Sequence, residues 1–288
     1  MDVLTTARFA RADAPLIHPS AIVAPGADIG RGVRIGPFCT VGSDVVLEDG
    51  VELVSHAVID GYTLIGADAK IFPFATIGMA PQDVKYRDEP TRCEIGARTQ
   101  VREHCTIHRG TAKGRGITVV GADCMLMAVA HVAHDCVLGN NVIVANNAVM
   151  GGHVSIGDGA VIGGQSALHQ FARIGRGAMI SGVTGVAGDV VPFGMVFGNR
   201  GVLTGLNVIG LSRRGYDRPQ IHRVRAAYRL LFTGQGVFAD RLMLTRDLYG
   251  NDALVAEILD FIAASSRRGL IKSALTGDHA EHGDTAGV

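Results

Sequence analysis

Residues 17–36 read IHPSAIVAPGADIGRGVRIG, and every sixth residue from Ile17 is aliphatic. The series continues as Ile17, Val23, Ile29, Ile35, Val41, Leu47, Leu53, Ile59, Ile65, Ile71 and Ile77, and Gly30, Gly36, Gly42, Gly66 and Gly78 directly follow members of it. After an interruption the phase resumes at Ile95, Val101 and Ile107. After a second it restarts one residue out of register and runs Val120, Leu126, Val132, Leu138, Val144, Met150, Ile156, Ile162, Leu168, Ile174, Ile180 and Val186. A period of six fits neither an amphipathic helix, at 3.6, nor a simple strand, at 2. It fits a parallel β-helix in which each hexad supplies one short strand and one corner. The aliphatic residue points inward, and residues tolerant of positive φ, such as Gly and Asn, make the corners. Three hexads close one triangular coil. The 26 hexads therefore predict eight to nine coils, stacked about 4.8 Å apart into a prism roughly 40 Å tall.

Two segments break the period. Residues 79–94 read MAPQDVKYRDEPTRCE and residues 109–119 read RGTAKGRGITV. Both are polar and contain Pro or Gly, so both are expected to loop out of the prism. The second reads more readily as a tolerated insertion. The predicted division is a β-helix domain over 1–192 and a C-terminal helical domain over 193–288. After an irregular exit, helices are expected at 219–232, 237–248 and 253–266. The first has Pro219 near its start and Ile221, Val224, Tyr228 and Leu231 at helical spacing. The helices are expected to cap the open end of the prism. The polar tail from Ser273 is expected to fray.

Composition narrows the function. Lys+Arg and Asp+Glu are both 27 in 288 residues, so no field that would attract nucleic acid or a membrane surface is implied. With no Trp, 5% aromatics and 39 glycines, the core must be aliphatic and thin. The five cysteines include no CxxC pair, which reads as small buried hydrophobes in a reducing compartment rather than disulfides or a zinc knuckle. The first 16 residues lack a long apolar run, and no stretch of the chain approaches about 20 continuous apolar residues. A secretory leader and a membrane span are therefore not expected, and a cytoplasmic location is.

On the prism, residues 18 apart stand one above the other. His134, Gly152 and Gln170 form one such column, with His131, His153 and His169 close in phase. A histidine titrates near neutrality and suits proton removal from a hydroxyl. A glycine one coil above leaves its N–H open to a developing oxyanion. Asp135 follows His134 and can hold the imidazole tautomer if the chain turns there. A histidine zinc site is the competitor. The hexapeptide-repeat carbonic anhydrases place their close histidine pair five apart, whereas His131 and His134 are three apart, so no metal is expected.

The segments QDVKY (82–86), EPTRCEIG (89–96), TIHRGT (106–111), AHVAHDC (130–136), LGNN (138–141), ANNA (145–148), GGH (151–153), HQF (169–171) and LSRRG (211–215) resemble the UDP-N-acetylglucosamine O-acyltransferases. The resemblance runs from about Ile17 to Tyr228 and includes both loops. It implies a left-handed coil and an enzyme. The reaction would transfer a 3-hydroxyacyl chain from acyl carrier protein to the sugar 3-hydroxyl in the first step of lipid A synthesis, with no further cofactor.

It also implies roles. His134 matches the general base, Asp135 its partner and Gly152 the oxyanion donor. Asp83 and Lys85 match loop residues that reach the acyl 3-hydroxyl and the acceptor from a neighbouring subunit of a homotrimer. His131, His153, His169 and Gln170 match sugar and nucleotide contacts. Asn207, Arg213 and Arg214 match contacts to phosphate or the phosphopantetheine arm. Gly182, with Met179 nearby, matches the position that stops the acyl chain. Ile209 stands where many members carry an acidic residue, which bears on uridine or ribose recognition. Two other readings are a related N-acyltransferase, expected to carry a separate N-terminal domain where only about 16 residues precede the first hexad here, and an inert β-helix scaffold.

Overall fold

The computed structural model describes residues 14–274. The leader question, and the polar tail beyond Ala274, fall outside those residues. Each of the 26 hexads supplies one strand, mostly of two residues, whose aliphatic member is the one the period picked out. Stacking sorts the strands into three parallel faces, A, B and C, which follow one another around each coil. Pairing is in register 18 residues on, as in Ile17↔Ile35 and His131↔Val149. The two loops lengthen that step, giving Ile71↔Val101 and Val101↔Leu126. Ladder hydrogen bonds satisfy the backbone, and the inward column from Ile35 to Val186 is buried. The cysteines are free and line the same core. Burial pushes the Cys93 and Cys136 thiols up to about 12, so they act as packing residues.

Glycine and asparagine do not monopolise the corners. Their second residue takes a left-handed conformation even when it is Phe38, His56, Asp135, His153, Phe171 or Val183. Such residues seldom adopt it, and here the neighbouring coils hold them in it. On the edge between faces A and B, Phe38, His56, Phe74 and His104 stack as a ladder with ring centroids 4.9–5.0 Å apart.

Face A does not stop at residue 192. Gly194–Phe197 pairs parallel to Met179–Ile180, and Val202–Leu206 returns antiparallel to it. The end of the prism is therefore covered first by a hairpin, and Phe193 is buried beneath it. Helix α1 (Val208–Arg213) lies in the segment read as irregular. Helices α2 (Arg218–Thr233), α3 (Phe238–Tyr249) and α4 (Ala253–Ala263) stand where the spacing put them. Asp217 and Gln220 form a capping box at the start of α2, which buries Ile221, Val224, Tyr228 and Leu231. Arg176 on the prism meets Glu257 of α4 with Nε–Oε1 at 2.9 Å.

The segment after α4 is not frayed at Ser273. It returns to the prism, where Ile271 N–H donates to the Asp189 carbonyl at 2.9 Å and Ala274 N–H to the Leu203 carbonyl at 3.0 Å. Backbone pairing of this kind supplies an order that side-chain polarity alone does not reveal.

Candidate active site

Both loops leave the prism at the edge between faces B and C, one and two coils below His134. There two columns rise side by side, His134–Gly152–Gln170 and Asp135–His153–Phe171. His153 N–H donates to the His134 carbonyl at 3.0 Å and Phe171 N–H to that of Gly152 at 3.1 Å. The His134 ring lies over the Gly152 Cα. A β-carbon on Gly152 would stand 2.6 Å from Nε2 and 3.0 Å from Nδ1. Gly152 has no left-handed φ, so close approach rather than backbone conformation is what demands glycine. Its N–H has no protein acceptor among the hydrogen bonds of the described residues.

Asp135 is fully buried, and the 109–119 loop is wrapped around its carboxylate. Oδ1 accepts from the N–H groups of Thr111 at 3.1 Å, Arg115 at 2.8 Å and Gly116 at 3.1 Å, and Oδ2 from the Thr111 hydroxyl at 2.6 Å. The same Oδ2 meets His134 Nδ1 at 2.8 Å. Burial draws the Asp135 carboxyl pKa upward. The hydrogen bonds from His134 and Thr111 outweigh that pull and hold it down at about 2. An ionised carboxylate only accepts, so Nδ1 carries the imidazole proton and Nε2 is left with its lone pair. The segment that reads as a tolerated insertion is thus the mould around the Asp135 carboxylate.

A cleft of about 670 Å³ opens in front of this pair. It is lined by Asp83, Lys85, His131, His134, Gly152, His153 and Gln170, together with His108 and Lys113. Asp83 and Lys85 therefore reach the histidines of their own chain. Arg109 roots the loop, with Nε donating to the Tyr86 hydroxyl at 2.8 Å and Nη1 to the Gly78 carbonyl at 2.8 Å.

His108, in the TIHRGT segment, has no role that the sequence assigns. It is buried, packs edge-on against His131 at 5.0 Å, and its Nδ1 has no hydrogen-bond partner. Burial, with His131 and His134 nearby, lowers its pKa from 6.5 to about 4. Burial likewise lowers His131, which meets the Thr106 hydroxyl at 2.7 Å.

The unfolded chain takes up the His108 proton near 6.5 and the folded chain only near 4. Stability is thus whole above about 6.5 and falls by about 3 kcal/mol as pH drops to 4. Urea melts across that window should show His108→Gln losing that much less than wild type. Equal losses would mean that His108 is not held neutral.

The remaining expected residues lie elsewhere. His169 is exposed, with Nδ1 3.3 Å from the Gln170 carbonyl oxygen, and does not line the cleft. Asn207, Arg213, Arg214, Met179 and Ile209 line a second pocket of about 760 Å³ beside face A. Asn207 caps α1 by accepting from Gly210 N–H at 2.9 Å, and it donates to the Gly177 carbonyl at 3.1 Å. Gly182 is on the A–B edge, in neither pocket, with ordinary φ; Val183 beside it takes the left-handed turn. A side chain at 182 would begin 3.3 Å from the Gly164 carbonyl oxygen.

Ligand atoms of His134, Asp135 and His153 lie within 4.8 Å of one another, a spacing that a metal ion can bridge. The Asp135 oxygens, however, already accept from the loop and from His134. The donor set suits proton transfer better than ligation.

Residues 26–61 and 117–152 match the model of the bacterial transferase hexapeptide (six repeats). Residues 189–271 match that of UDP-N-acetylglucosamine O-acyltransferase, domain 2. An acyl-[acyl-carrier-protein]–UDP-N-acetylglucosamine O-acyltransferase of Rhizobium johnstonii is 48% identical over 259 residues, covering 90% of this chain and 95% of its own. That of Azorhizobium caulinodans is 50% identical over 255 residues, covering 88% and 94%. The crystal structure of a UDP-N-acetylglucosamine acyltransferase from Bacteroides fragilis superposes with a TM-score of 0.86 at 37% identity, covering 89% of this chain and all of that one. Identity near one half over nine-tenths of the length, on the same left-handed hexapeptide coil, makes this chain a member of the UDP-N-acetylglucosamine O-acyltransferase family.

Proposed function

We propose that the protein transfers an (R)-3-hydroxyacyl group from acyl carrier protein to the 3-hydroxyl of UDP-N-acetylglucosamine, opening lipid A synthesis in the cytoplasm. The observation that carries this reading is the His134–Asp135 pair facing Gly152 in a cleft also lined by Lys85. Nε2 of His134 takes the hydroxyl proton as the sugar oxygen attacks the thioester carbonyl. The Gly152 N–H receives the oxyanion. Collapse forms the ester and expels the phosphopantetheine thiolate, which takes the proton back from the imidazolium. Asp135 stabilises that imidazolium and keeps the tautomer. Lys85 and Lys113 give the cleft a cationic rim for the acceptor. The acyl group arrives on its carrier, and the chemistry uses no further cofactor. The exposed Arg218, Arg225 and Arg229 of α2 suit an acidic carrier. Among the described residues no helix is long and apolar enough to cross a membrane.

The working unit is a homotrimer. Within one chain the second pocket, on face A, and the cleft, on face B, lie on different sides of the prism. A threefold axis sets face A of one copy against face B of the next. Arg213 and Arg214 then serve a neighbour's cleft. The exposed Phe38 and Phe74 of the ladder, with Ile143 and Val149 on the two faces, supply apolar surface for that packing. Light scattering should give three times 30.1 kDa; an active monomer would rule this assembly out.

Acyl length follows from Gly182, where no left-handed φ requires a glycine. Its smallness leaves room for a chain, so a fourteen-carbon donor is preferred over a ten-carbon one. Four more buried methylenes are worth roughly 3 kcal/mol. The experiment is mass spectrometry of the product formed from radiolabelled UDP-N-acetylglucosamine with C10, C12 and C14 3-hydroxyacyl carriers. Product with none of the donors overturns the function. Wild-type preference for C10, or no shortening in Gly182→Met, removes Gly182 as the ruler.

A further inference from the structure

At the B–C edge the stacking rule breaks one coil above Phe171. In the two coils below, the second corner residues His153 and Phe171 donate to the His134 and Gly152 carbonyls one coil lower. Asp189, next in the column, donates instead to the Gly269 carbonyl at 2.8 Å. The vacated Gln170 carbonyl is taken by Arg268 Nε at 2.8 Å. The neighbouring Arg267 lays its guanidinium over the Phe171 ring, 4.5 Å from its centroid. A strap from the end of the chain therefore stands in for the missing coil. Ser266 Oγ shapes it by accepting from the N–H groups of Arg268 at 3.1 Å and Gly269 at 3.0 Å.

The contact continues downward. Phe171 stacks on His153 with centroids 4.5 Å apart and an interplanar angle of 12°. His153 stands edge-on to His134 at 5.1 Å and 90°, with its Nε2 3.8 Å from Asp135 Oδ2. Phe171 holds a left-handed φ of 69°, an unfavourable state for an aromatic residue that the partners on its two sides keep in place.

We propose that Arg267 and Phe171 are positioning residues, which fix the His153 ring against which the His134 base rests, so that the docked C-terminal strap completes the active site. This rests on the reading of His134 as base. His153 is faced by His134 and Asp135 from the corner, by Arg115 from the second loop and by Arg267 from the strap. Burial lowers its pKa first, with His134, Arg267 and Arg115 pushing the same way and Asp135 opposing them. Neutral His153 leaves the Asp135 charge to the base.

The test compares the wild type with Arg267→Ala, Arg267→Lys and Phe171→Leu in the full chain. Arg267→Ala should lower kcat about two- to fivefold, the weight of one exposed cation–ring contact, with KM little changed. The acid limb of the rate profile should move to higher pH, because a cation that disfavours His153 protonation is gone. Arg267→Lys should restore the limb. Phe171→Leu should cost about tenfold, since both ring contacts go.

Titration of carbon-13-labelled His153 by NMR, without substrates, should show the same upward shift in Arg267→Ala. An unchanged titration and rate profile overturns the proposal. So does a loss confined to KM for the carrier, or a loss that tracks the melting temperature and is not rescued by lysine. Absence of acyl transfer by the wild type would instead overturn the function, and the NMR titration would still report on the strap.

Discussion

His134→Ala is expected to lower turnover by roughly 10²–10⁴-fold, the usual worth of a positioned general base, while the protein stays folded. The ring sits at a corner, outside the aliphatic column that forms the core. Its removal takes one hydrogen bond from Asp135 and leaves those from Thr111, Arg115 and Gly116. The buried carboxylate therefore stays satisfied, which separates this variant from one that leaves a buried charge unpaired. Single-turnover rates with a matched acyl carrier donor, beside thermal melts, provide the check. Near wild-type chemistry in His134→Ala would refute the assignment of the base.

Gly152→Ala should cost about 10²-fold in kcat, the scale expected when a catalytic group is displaced by about an ångström. The backbone there accepts any L-residue, but the new methyl would stand 2.6 Å from His134 Nε2. Something must move, and the exposed side of the ring opens into the cleft proposed for the acceptor. The methyl also crowds the N–H that would meet the oxyanion. The first effect acts through the imidazole, so the losses should be non-additive. Gly152→Ala in a His134→Ala background should cost less than in the wild type, leaving only the part that falls on the N–H. Additive losses would mean that the glycine acts independently of the imidazole.

The strands were legible because each inward aliphatic side chain recurs at a fixed interval, and the smaller buried residues two positions before it, such as Val33, Cys39 and Ala57, keep the same period. The helices were legible for the same reason at another period, as Ile221, Val224, Tyr228 and Leu231 illustrate. The corners were only partly legible. Phe171, His153 and Val183 do not advertise a left-handed turn, since their conformation is imposed by the coils on either side.

The role of the 109–119 loop was not legible because three of its groups on Asp135, those of Thr111, Arg115 and Gly116, are backbone N–H groups, which carry no side-chain signature. His108 stayed without a role because its isolation is a property of packing. The C-terminal strap was missed because its partners, Gln170 and Asp189, lie some eighty to a hundred residues away. Resemblance named the pocket beside face A and the cleft on face B together, but spacing along the chain could not show that they lie on different sides of one prism.

The 18-residue step between paired strands shapes how the protein comes apart. Each coil exchanges hydrogen bonds and buried side chains only with the coil before it and the coil after it, so stability accumulates along one dimension, as in other solenoids. Unfolding then resembles a zipper more than the collapse of a globule. A fray that enters at Ile17, itself 45% exposed, advances one coil at a time. Several coils can open before it meets the layer from which the Asp83–Lys85 loop springs. Activity should therefore outlast the first losses of structure at that end, whereas a fray entering through the strap reaches Phe171 at its first step.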